Sequence, residues 1–310
     1  MRELKSLFFS VLLLFVFTTD MSAQDALLRG VVKDSSGKAI EAVSSFEILG
    51  HRVIWSVVFT LVLITLKRNW QVIGKMLRSR KKDVLWLAAG GFLISFNWGL
   101  YIWAVNGGRI LETSLGYFIN PLLSMFLGMI FFKEKLNRIQ TLALVLAVLG
   151  VSIELVAAGS LPLVSLGLAI SFGLYGVLKK TVAVEPEIAL FTETVTVAPF
   201  ALAWLIFLQK EGLSSFPYDS MTNLMLAGAG IMTSIPLLMF AYGASRVPLT
   251  TVGFVQFVTP TLSFAIGLLI FKEDINMNRV FTFMFIWAAL ILYTTDLVFS
   301  GRKSPRKNNV

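Results

Sequence analysis

Several polar side chains lie within apolar stretches of this 310-residue sequence, where they could bind or carry a solute. His51 and Arg52 are followed one helical turn later by Trp55, and Glu193 interrupts a separate apolar run. Ionisable groups inside a membrane-spanning helix are functional candidates by default. Two alternatives stay open: Arg52 could extend its side chain to the surface, and Glu193 could be either a proton or cation carrier or a carboxylate solvated at the interface.

A second candidate is the segment from Asn97 to Asn106, which is rich in polar aromatic residues. Asn97 and Tyr101 are four residues apart, so they share one face of a helix. An amide beside aromatic walls suits a planar or weakly polar organic solute. Trp103, closer to the end of the segment, fits an aromatic belt at the membrane–water interface better.

Two prolines inside apolar stretches form a third candidate. Pro121 and Pro260 each remove one helical hydrogen bond and free the carbonyl four residues earlier, at Tyr117 and Gln256. Interrupted helices at matching positions of two halves indicate a transport path, and Asn120 lies directly beside one of them. A packing kink tolerated in any membrane helix is the alternative.

Known catalytic patterns do not occur in the sequence. It contains no G-x-S-x-G, no H-E-x-x-H and no phosphate-binding G-x-x-x-x-G-K-[ST] motif. A single histidine and no cysteine exclude zinc knuckles, disulfides and sites of several histidines. We therefore expect no enzyme activity and no cofactor.

Composition places these candidates in a bilayer. The chain is 56% hydrophobic and only 15% charged, against about 25% charged in soluble domains. The net charge of +9 does not indicate a nucleic-acid partner, because the basic residues lie in short loops between apolar runs. The predicted fold is an all-α polytopic membrane protein with nine spanning helices, at about 47–66, 84–106, 113–132, 137–157, 162–178, 188–208, 221–244, 250–271 and 279–299.

Lysine and arginine predict the orientation. Beyond Glu47, one set of loops and the C-terminal tail hold 17 of these residues, and the alternate loops hold four. The positive-inside rule therefore places the first set and the C-terminus in the cytoplasm. The first predicted helix then enters from outside.

An internal repeat organises the predicted helices. Pro121, Gly128 and Glu134 have identical counterparts 139 residues later, as do three other residues, and Arg109 and Gly116 have theirs 137 residues later. An odd number of helices, five, separates the copies, so the repeats are inverted, which is a recurrent plan of transporters. The same register aligns the predicted helix at 162–178 with residues 25–41, so a ten-helix plan lacks its first helix.

The N-terminal residues follow a different pattern. Residues 1–23 are typical of a secretory signal peptide and 24–46 of a β-hairpin fragment centred on Asp34–Gly37. The fragment resembles the start of the carboxypeptidase-regulatory-like domain of Bacteroidetes outer-membrane receptors, which indicates a chimaeric chain. The remaining units are 47–157, an incomplete first repeat; 158–300, a second repeat; and 301–310, a basic tail.

From Glu47 onward the sequence resembles the RarD, or chloramphenicol-sensitivity, branch of the EamA drug/metabolite transporter superfamily. The motifs that carry this resemblance are EILGHRVIWS from Glu47, NWGLYIWAVN from Asn97 and ETSLGYFINP from Glu112. It implies ten helices in two inverted repeats, a bacterial inner-membrane location and alternating access to a central cavity.

We therefore expect a permease for a small organic solute, with the bilayer as its environment and protons as a candidate coupling ion. The residues expected along the substrate path are His51, Arg52, Trp55, Asn97, Tyr101, Tyr117, Asn120, Pro121, Glu193, Gln256 and Pro260. The alternatives are a non-transporting chimaeric or truncated membrane protein and a membrane-embedded enzyme.

Overall fold

The computed structural model describes residues 43–159, 162–214, 216–218, 220–269 and 277–303, and within these ranges it contains helices but no strand. The helices are α1 (Ser45–Leu66), α2 (Trp70–Ser79), α3 (Lys81–Asn106), α4 (Ile110–Phe132), α5 (Arg138–Ala158), α6 (Leu163–Thr181), α7 (Pro186–Lys210), α8 (Ser220–Ala244), α9 (Leu249–Gln256), α10 (Val258–Leu269) and α11 (Met277–Lys303).

The predicted number of spanning helices is confirmed. Nine helices in the described ranges are long and apolar enough to cross a bilayer, the broken α9–α10 pair counting as one and α2 being too short. Side chains on the bundle surface are apolar as well: Ile130 is 69% exposed and Val156 81% exposed. Such a surface is stable only against lipid. The chain is thus an all-α polytopic membrane protein.

One helix was not predicted. α2 lies in the segment that the sequence assigns to a basic loop, and it buries Ile73 and Met76 while its basic residues stay exposed. Its ten residues are too few to span the bilayer. It is an amphipathic helix beside the ends of α1 and α3, where an interfacial position satisfies both of its faces.

Helix ends follow local sequence signals. The Ser44 hydroxyl caps α1 by accepting a hydrogen bond from the Glu47 backbone N–H at 3.2 Å. Asn137 and Gln140 form a reciprocal capping box at the start of α5. Gly159 follows α5 with a φ of 66°, which a residue without a Cβ adopts without strain.

The spanning helices alternate between two faces of the bundle. We call the face at which α1, α4, α6, α8 and α11 end the basic face, because Lys67, Lys133, Lys179 and Lys180 lie there. The other is the opposite face. At the basic face Lys67 pairs with Glu187 at 2.5 Å, which joins the end of α1 to the start of α7.

The two halves pack as an inverted repeat. A Cβ on Gly91 of α3 would lie 2.4 Å from the Glu193 carbonyl oxygen of α7. Its counterpart 139 residues later, Gly230 of α8, is equally close to α1. A Cβ added there would lie 2.5 Å from the Trp55 Cβ and 2.8 Å from the Ser56 backbone nitrogen. Small residues let membrane helices approach closely where no hydrophobic force drives association. The same contact is therefore made twice, once in each orientation.

The repeat is incomplete within the described residues. α6 packs against α3 and α4, but no described helix occupies the equivalent place against α8 and α10. The residues in that register, 25–41, lie outside the described part, as does the predicted signal peptide. Only the end of the predicted hairpin fragment is described, and there Ser45 and Phe46 are helical rather than extended.

The predicted pair of proline interruptions is only half correct. α4 continues unbroken through Pro121, because losing one hydrogen bond is compatible with a helix that is packed on both sides by α6 and α9. The second helix breaks at Phe257, between α9 and α10. Pro260 is consequently the third residue of α10, where a missing N–H breaks no helical bond.

The close helix contact at Gly230 predicts a sharp difference between two glycines of α8. Gly230→Ala forces α8 away from α1, and overpacking of this kind typically costs about 1–3 kcal/mol. Gly228→Ala is the matched control, since a Cβ there meets nothing within 4 Å. Thermal unfolding in detergent should show a lower Tm for the first variant and an unchanged or slightly higher Tm for the second. Equal Tm values would contradict the packing.

Candidate functional site

The polar residues of the spanning helices form three clusters. One lies near the opposite face around α1, one lies at the α4–α9 crossing, and one lies near the basic face between α6 and α7. Together they contain most of the residues predicted for the substrate path. The first two clusters join helices of different halves, and the third joins two helices of the second half.

Near the opposite face, the α7–α8 loop covers the start of α1. Glu47 is buried and accepts hydrogen bonds from the hydroxyls of Ser214, at 2.5 Å, and Tyr218, at 3.0 Å. The His51 ring lies 4.9 Å from the Phe216 ring, centroid to centroid. His51 is therefore enclosed by this loop rather than open to the surface.

Arg52 points into the bundle. It is only 2% exposed, and its guanidinium carbon lies 5.6 Å from the centre of the Trp98 ring of α3. This cation–π contact contradicts the alternative in which the side chain extends to the surface. Trp55 lies half-buried against Gly230 of α8.

Asn97 and Tyr101 differ in their surroundings, although they share a helix face. The Asn97 amide donates hydrogen bonds to the Leu168 carbonyl at 2.9 Å and the Ser171 hydroxyl at 2.8 Å, so it joins α3 to α6. Tyr101 is buried, with its ring 6.3 Å from that of Tyr117 on α4. The structure thus gives Asn97 a packing contact and brings the two tyrosines together.

At the α4–α9 crossing, two amides hold acceptors that no described residue satisfies. The buried oxygens Oδ1 of Asn120 and Oε1 of Gln256 have no hydrogen-bond partner there. Asn120 directly precedes Pro121, and Gln256 is the last residue of α9 before the helix break. Because an unpaired buried acceptor costs about 1–3 kcal/mol, both oxygens favour a ligand that donates hydrogen bonds.

The crossing itself is closed at the basic face. Gly253 packs so closely on α4 that a Cβ would lie 2.5 Å from the Pro121 carbonyl oxygen, and a Cβ on Gly128 would lie 3.0 Å from the Thr250 nitrogen. Toward the opposite face the repeat partner of Gly253, Gly116, has Leu168 and Ser165 of α6 as its nearest neighbours. α4 makes little contact with α10. The two helices therefore meet at the basic face and diverge toward the opposite face.

A carboxylate fixes the closed end. Glu134 follows α4 and accepts hydrogen bonds from the backbone N–H groups of Leu249, at 2.7 Å, and Thr250, at 2.8 Å, which are the first residues of α9. Lys180 of α6 lies 3.3 Å from the same carboxylate and donates to the Val247 carbonyl at 2.6 Å. Anions are stabilised at helix N-termini by unpaired N–H groups and the helix dipole. We call this arrangement the basic-face seal.

The environment of Glu134 shifts its titration. Burial alone would raise the pKa of the Glu134 carboxyl, but the backbone N–H groups of Thr250 and Leu249 and the Lys180 ammonium outweigh burial and hold the pKa below its ordinary value. Glu134 belongs to the repeated motif but was not predicted as a site residue, because only the fold shows that its carboxylate reaches another helix.

Near the basic face Glu193 lies in a buried ion pair. Its Oε1 is 2.6 Å from the Lys179 ammonium, and its Oε2 accepts a hydrogen bond from the Tyr175 hydroxyl at 3.0 Å. The Glu193 side chain is only 1% exposed. The alternative in which this carboxylate is solvated at the membrane interface is therefore wrong. Sequence reasoning did not select Lys179, because a lysine at the end of a spanning helix indicates membrane orientation as readily as function. Lys179 follows Tyr175 by four residues, and this spacing could have indicated that the two side chains share a helix face.

Within the described part of the chain, nine spanning helices arranged as an inverted repeat and enclosing polar clusters define a polytopic membrane protein of the transporter type. The model of the EamA-like transporter family matches residues 34–155 and 160–295, once in each half. The chain belongs to this family, and its RarD-like relatives place it in that branch.

Three relatives illustrate the similarity. The uncharacterized transporter YojE of Bacillus subtilis is 46% identical over 266 residues, which cover 84% of this chain and 88% of YojE. Protein RarD of Escherichia coli is 41% identical over 270 residues, 87% of this chain and 91% of RarD. The chloramphenicol-sensitive protein RarD of Pseudomonas aeruginosa is 28% identical over 272 residues, 86% of this chain and 90% of that protein.

A crystal structure shares the fold at lower identity. It superimposes with a TM-score of 0.66, covering 96% of this chain and 97% of that chain, at 17% sequence identity. At such identity the likeness extends to the fold alone. It is independent support for the helical arrangement.

The seal predicts an acid-sensitive component of stability. Because the folded-state pKa of Glu134 is lowered, its stabilising contribution is complete above the ordinary glutamate pKa and is lost as the pH falls through the folded-state value. Glu134→Gln should remove this component and lower the stability at neutral pH by about 0.5–2 kcal/mol, the usual range for a helix cap. The measurement is Tm in detergent between about pH 7 and pH 3.

The exposed Glu211, at the end of α7, supplies the matched control for this experiment. Glu211→Gln should retain the Tm and pH dependence of the unchanged protein. An identical pH profile for Glu134→Gln and Glu211→Gln would contradict the role of the cap.

Proposed function

We propose that this protein is a secondary transporter that moves a small organic solute across the bacterial inner membrane by alternating access. The observation that carries the proposal is the asymmetry of the α4–α9/α10 crossing. The repeat-related helices α4 and α9/α10 meet at the basic face and diverge toward the opposite face. An inverted repeat can also adopt the mirrored arrangement, which is the requirement for access from each side in turn.

In this proposal the basic face is cytoplasmic, according to the positive-inside rule, and the C-terminus lies inside. The structure then corresponds to an outward-facing state whose cytoplasmic side is closed by the basic-face seal.

The solute binds where the unpaired acceptors meet aromatic side chains. Asn120 and Gln256 accept its hydrogen bonds, and Tyr101 and Tyr117 provide flat apolar contacts. This combination favours an organic solute that carries N–H or O–H donors beside a ring. Arg52 and Trp98, farther toward the opposite face, border the same route.

A non-transporting membrane protein is the second candidate, and one observation favours it. The place against α8 and α10 that corresponds to α6 holds no helix within the described residues. If that place is open, the helices insert without enclosing the solute. Restoring a family first helix before α1 and finding transport only then would support this candidate.

The sidedness of the seal is testable because the chain has no cysteine, so that an introduced cysteine is the only thiol. Ser124 of α4 is buried beside the crossing. Ser124→Cys should resist a membrane-impermeant maleimide added from the cytoplasmic side. Adding Glu134→Ala should raise labelling from that side several-fold, since the cap no longer holds α9 against α4.

Two exposed positions provide the controls for sidedness. Ser79→Cys on the basic face should be labelled only from inside, and Leu213→Cys on the opposite face only from outside. Labelling of both cysteines from one side would contradict the orientation. Unchanged labelling of Ser124→Cys after Glu134→Ala would contradict the seal.

The solute site predicts a loss of transport when an amide acceptor is removed. One relative carries chloramphenicol in its name, so chloramphenicol is the first probe. In proteoliposomes, Asn120→Leu and Gln256→Leu should each reduce its counterflow about tenfold or more, because one lost hydrogen bond is worth about 1–3 kcal/mol.

Gln209→Leu, at an exposed position near the end of α7, should transport as the unchanged protein does. Each variant should also elute as a monodisperse peak before its rate is compared. Full counterflow in both path variants would contradict the site.

A further inference from the structure

The cluster of Glu193, Lys179 and Tyr175 has no part in the solute site described above. It lies between α6 and α7, with the side chains of Lys179 and Glu193 3% and 1% exposed. One carboxylate oxygen of Glu193 accepts a hydrogen bond from the Lys179 ammonium at 2.6 Å. The other accepts one from the Tyr175 hydroxyl at 3.0 Å. Every oxygen of this buried acid therefore faces a titratable group.

Among the described residues, no charged side chain of the neighbouring helices pairs with the cluster. On α3, Gly90 and Gly91 face Glu193, and a Cβ on Gly90 would lie 3.2 Å from its Oε1. On α8, the Phe240 ring stacks on Tyr175 with centroids 6.3 Å apart. Four charged groups on or beside the packed helices are engaged elsewhere: Lys67 after α1 with Glu187 of α7, Lys180 of α6 with Glu134, Arg80 with Asp83 of α3, and Arg246 beyond α8 with Tyr242.

Stability alone does not account for such a pair. Well-packed apolar side chains can replace a buried ion pair with little or no loss of stability. Charged residues inside spanning helices instead mark ion pathways and proton relays. A buried carboxylate paired with a lysine is thus a candidate for a change of protonation during function.

The three side chains respond differently to a proton. The Lys179 ammonium can only donate hydrogen bonds, so it loses its ion pair when Glu193 becomes a neutral acid. The Tyr175 hydroxyl can donate or accept, and it can therefore stay bonded to Glu193 in either state. One contact depends on the charge and the other does not.

We propose that Glu193, Lys179 and Tyr175 form a proton-coupling site, in which Glu193 takes up one proton from water and thereby releases the Lys179 ammonium. This inference rests on the transport function proposed above. One O–H bond of a hydronium ion breaks as an O–H bond forms on the carboxylate, a neutral water molecule is left, and no electron is transferred. The ligand of the site is the proton, and the driving force is a transmembrane proton gradient.

The adjacent lysine connects this site to the basic-face seal. Lys179 binds Glu193, and the next residue, Lys180, binds Glu134 and the Val247 carbonyl. The end of α6 is thus held by two carboxylates from two different helices. Lys179 lies two residues before the last residue of α6, Thr181, so the released ammonium can extend to water at the basic face. Movement of this helix end loosens the seal.

Infrared spectroscopy tests the site without any solute. The full chain is reconstituted in the Glu154→Gln background, which removes another glutamate of the spanning helices, and spectra are recorded from acidic to alkaline pH. A protonated-carboxyl C=O band that titrates with pH should be present in this background. Its intensity should fall once Glu193→Gln is added, because one titrating carboxyl is lost while the other carboxylates remain. A titrating band of undiminished intensity in Glu193→Gln overturns the proposal.

Two further variants keep the test decisive if Glu193→Gln is poorly folded. Tyr175→Phe should retain the titrating band at a changed frequency, since one hydrogen bond to the acid is lost. Lys179→Met should change the pH dependence of the band, because its counter-ion is gone. A band that neither variant alters does not belong to Glu193, and the proposal then fails.

A final measurement separates this inference from the transport proposal. Maleimide labelling of Ser124→Cys from the basic face should increase several-fold at the pH at which the infrared band appears, and Glu193→Gln should abolish this pH dependence. Transport of a solute without these pH effects would overturn the coupling site alone. A titrating band and pH-dependent labelling in a protein that moves no solute would overturn the transport function while the proton site stands.

Discussion

The close approach of helix backbones at glycine is the contact on which the bundle depends. Inside a bilayer there is little hydrophobic gain from pressing two helices together, so their association relies on packing and on hydrogen bonds between helices. Gly91 against α7 and Gly230 against α1 provide such packing twice. The Ser56 hydroxyl adds a hydrogen bond of 3.1 Å to the Gly230 carbonyl across the second contact. These crossings also position the functional groups, since Arg52, Trp55 and Glu193 all belong to the helices that the glycines hold together.

A second part of the fold is the pair of helices α5 and α11. α5 and α11 pack against each other along their length, with a Cβ on Gly150 only 2.9 Å from the Thr282 carbonyl. Asp296 accepts hydrogen bonds from Asn137 at 2.7 Å and Gln140 at 2.8 Å, which fixes one end of this pair. Phe118, Phe254 and Phe283 then connect the pair to α4 and α9. The pair therefore joins the last helix of the first half to the last helix of the second.

The sequence predicts the spanning helices well because an apolar run of spanning length is a local signal. It does not predict α2, whose ten residues are interrupted by basic side chains. The proline argument predicts two equivalent breaks, whereas packing by α6 and α9 keeps α4 whole at Pro121 and only the second helix breaks, at Phe257. Tertiary contacts, which no local pattern contains, decide between a kink, a break and an intact helix.

The candidate residues divide in the same way. Burial of Arg52, Glu193 and Gln256 agrees with their choice as interior polar groups. Partners on other helices could not be derived, so the lysine beside Glu193 and the helix start beside Glu134 were both missed. Asn97 was also selected from the sequence, but its amide donates hydrogen bonds to two groups of α6 and does not face an open route. Residue type and spacing select a polar group, but its role depends on which helix lies opposite.

The adjacent lysines of α6 make the two halves unequal. In the repeat register, at offsets of 137 or 139, Lys179 and Lys180 correspond to Ala42 and Val43 or to Ile40 and Glu41, none of them a lysine. A mirrored closure at the opposite face therefore lacks both ammonium groups that strengthen the present one. Under the proposed alternating access, two conformations with such different electrostatics differ in free energy, and the one closed at the basic face is favoured. The proposed cycle would then rest with its basic face closed.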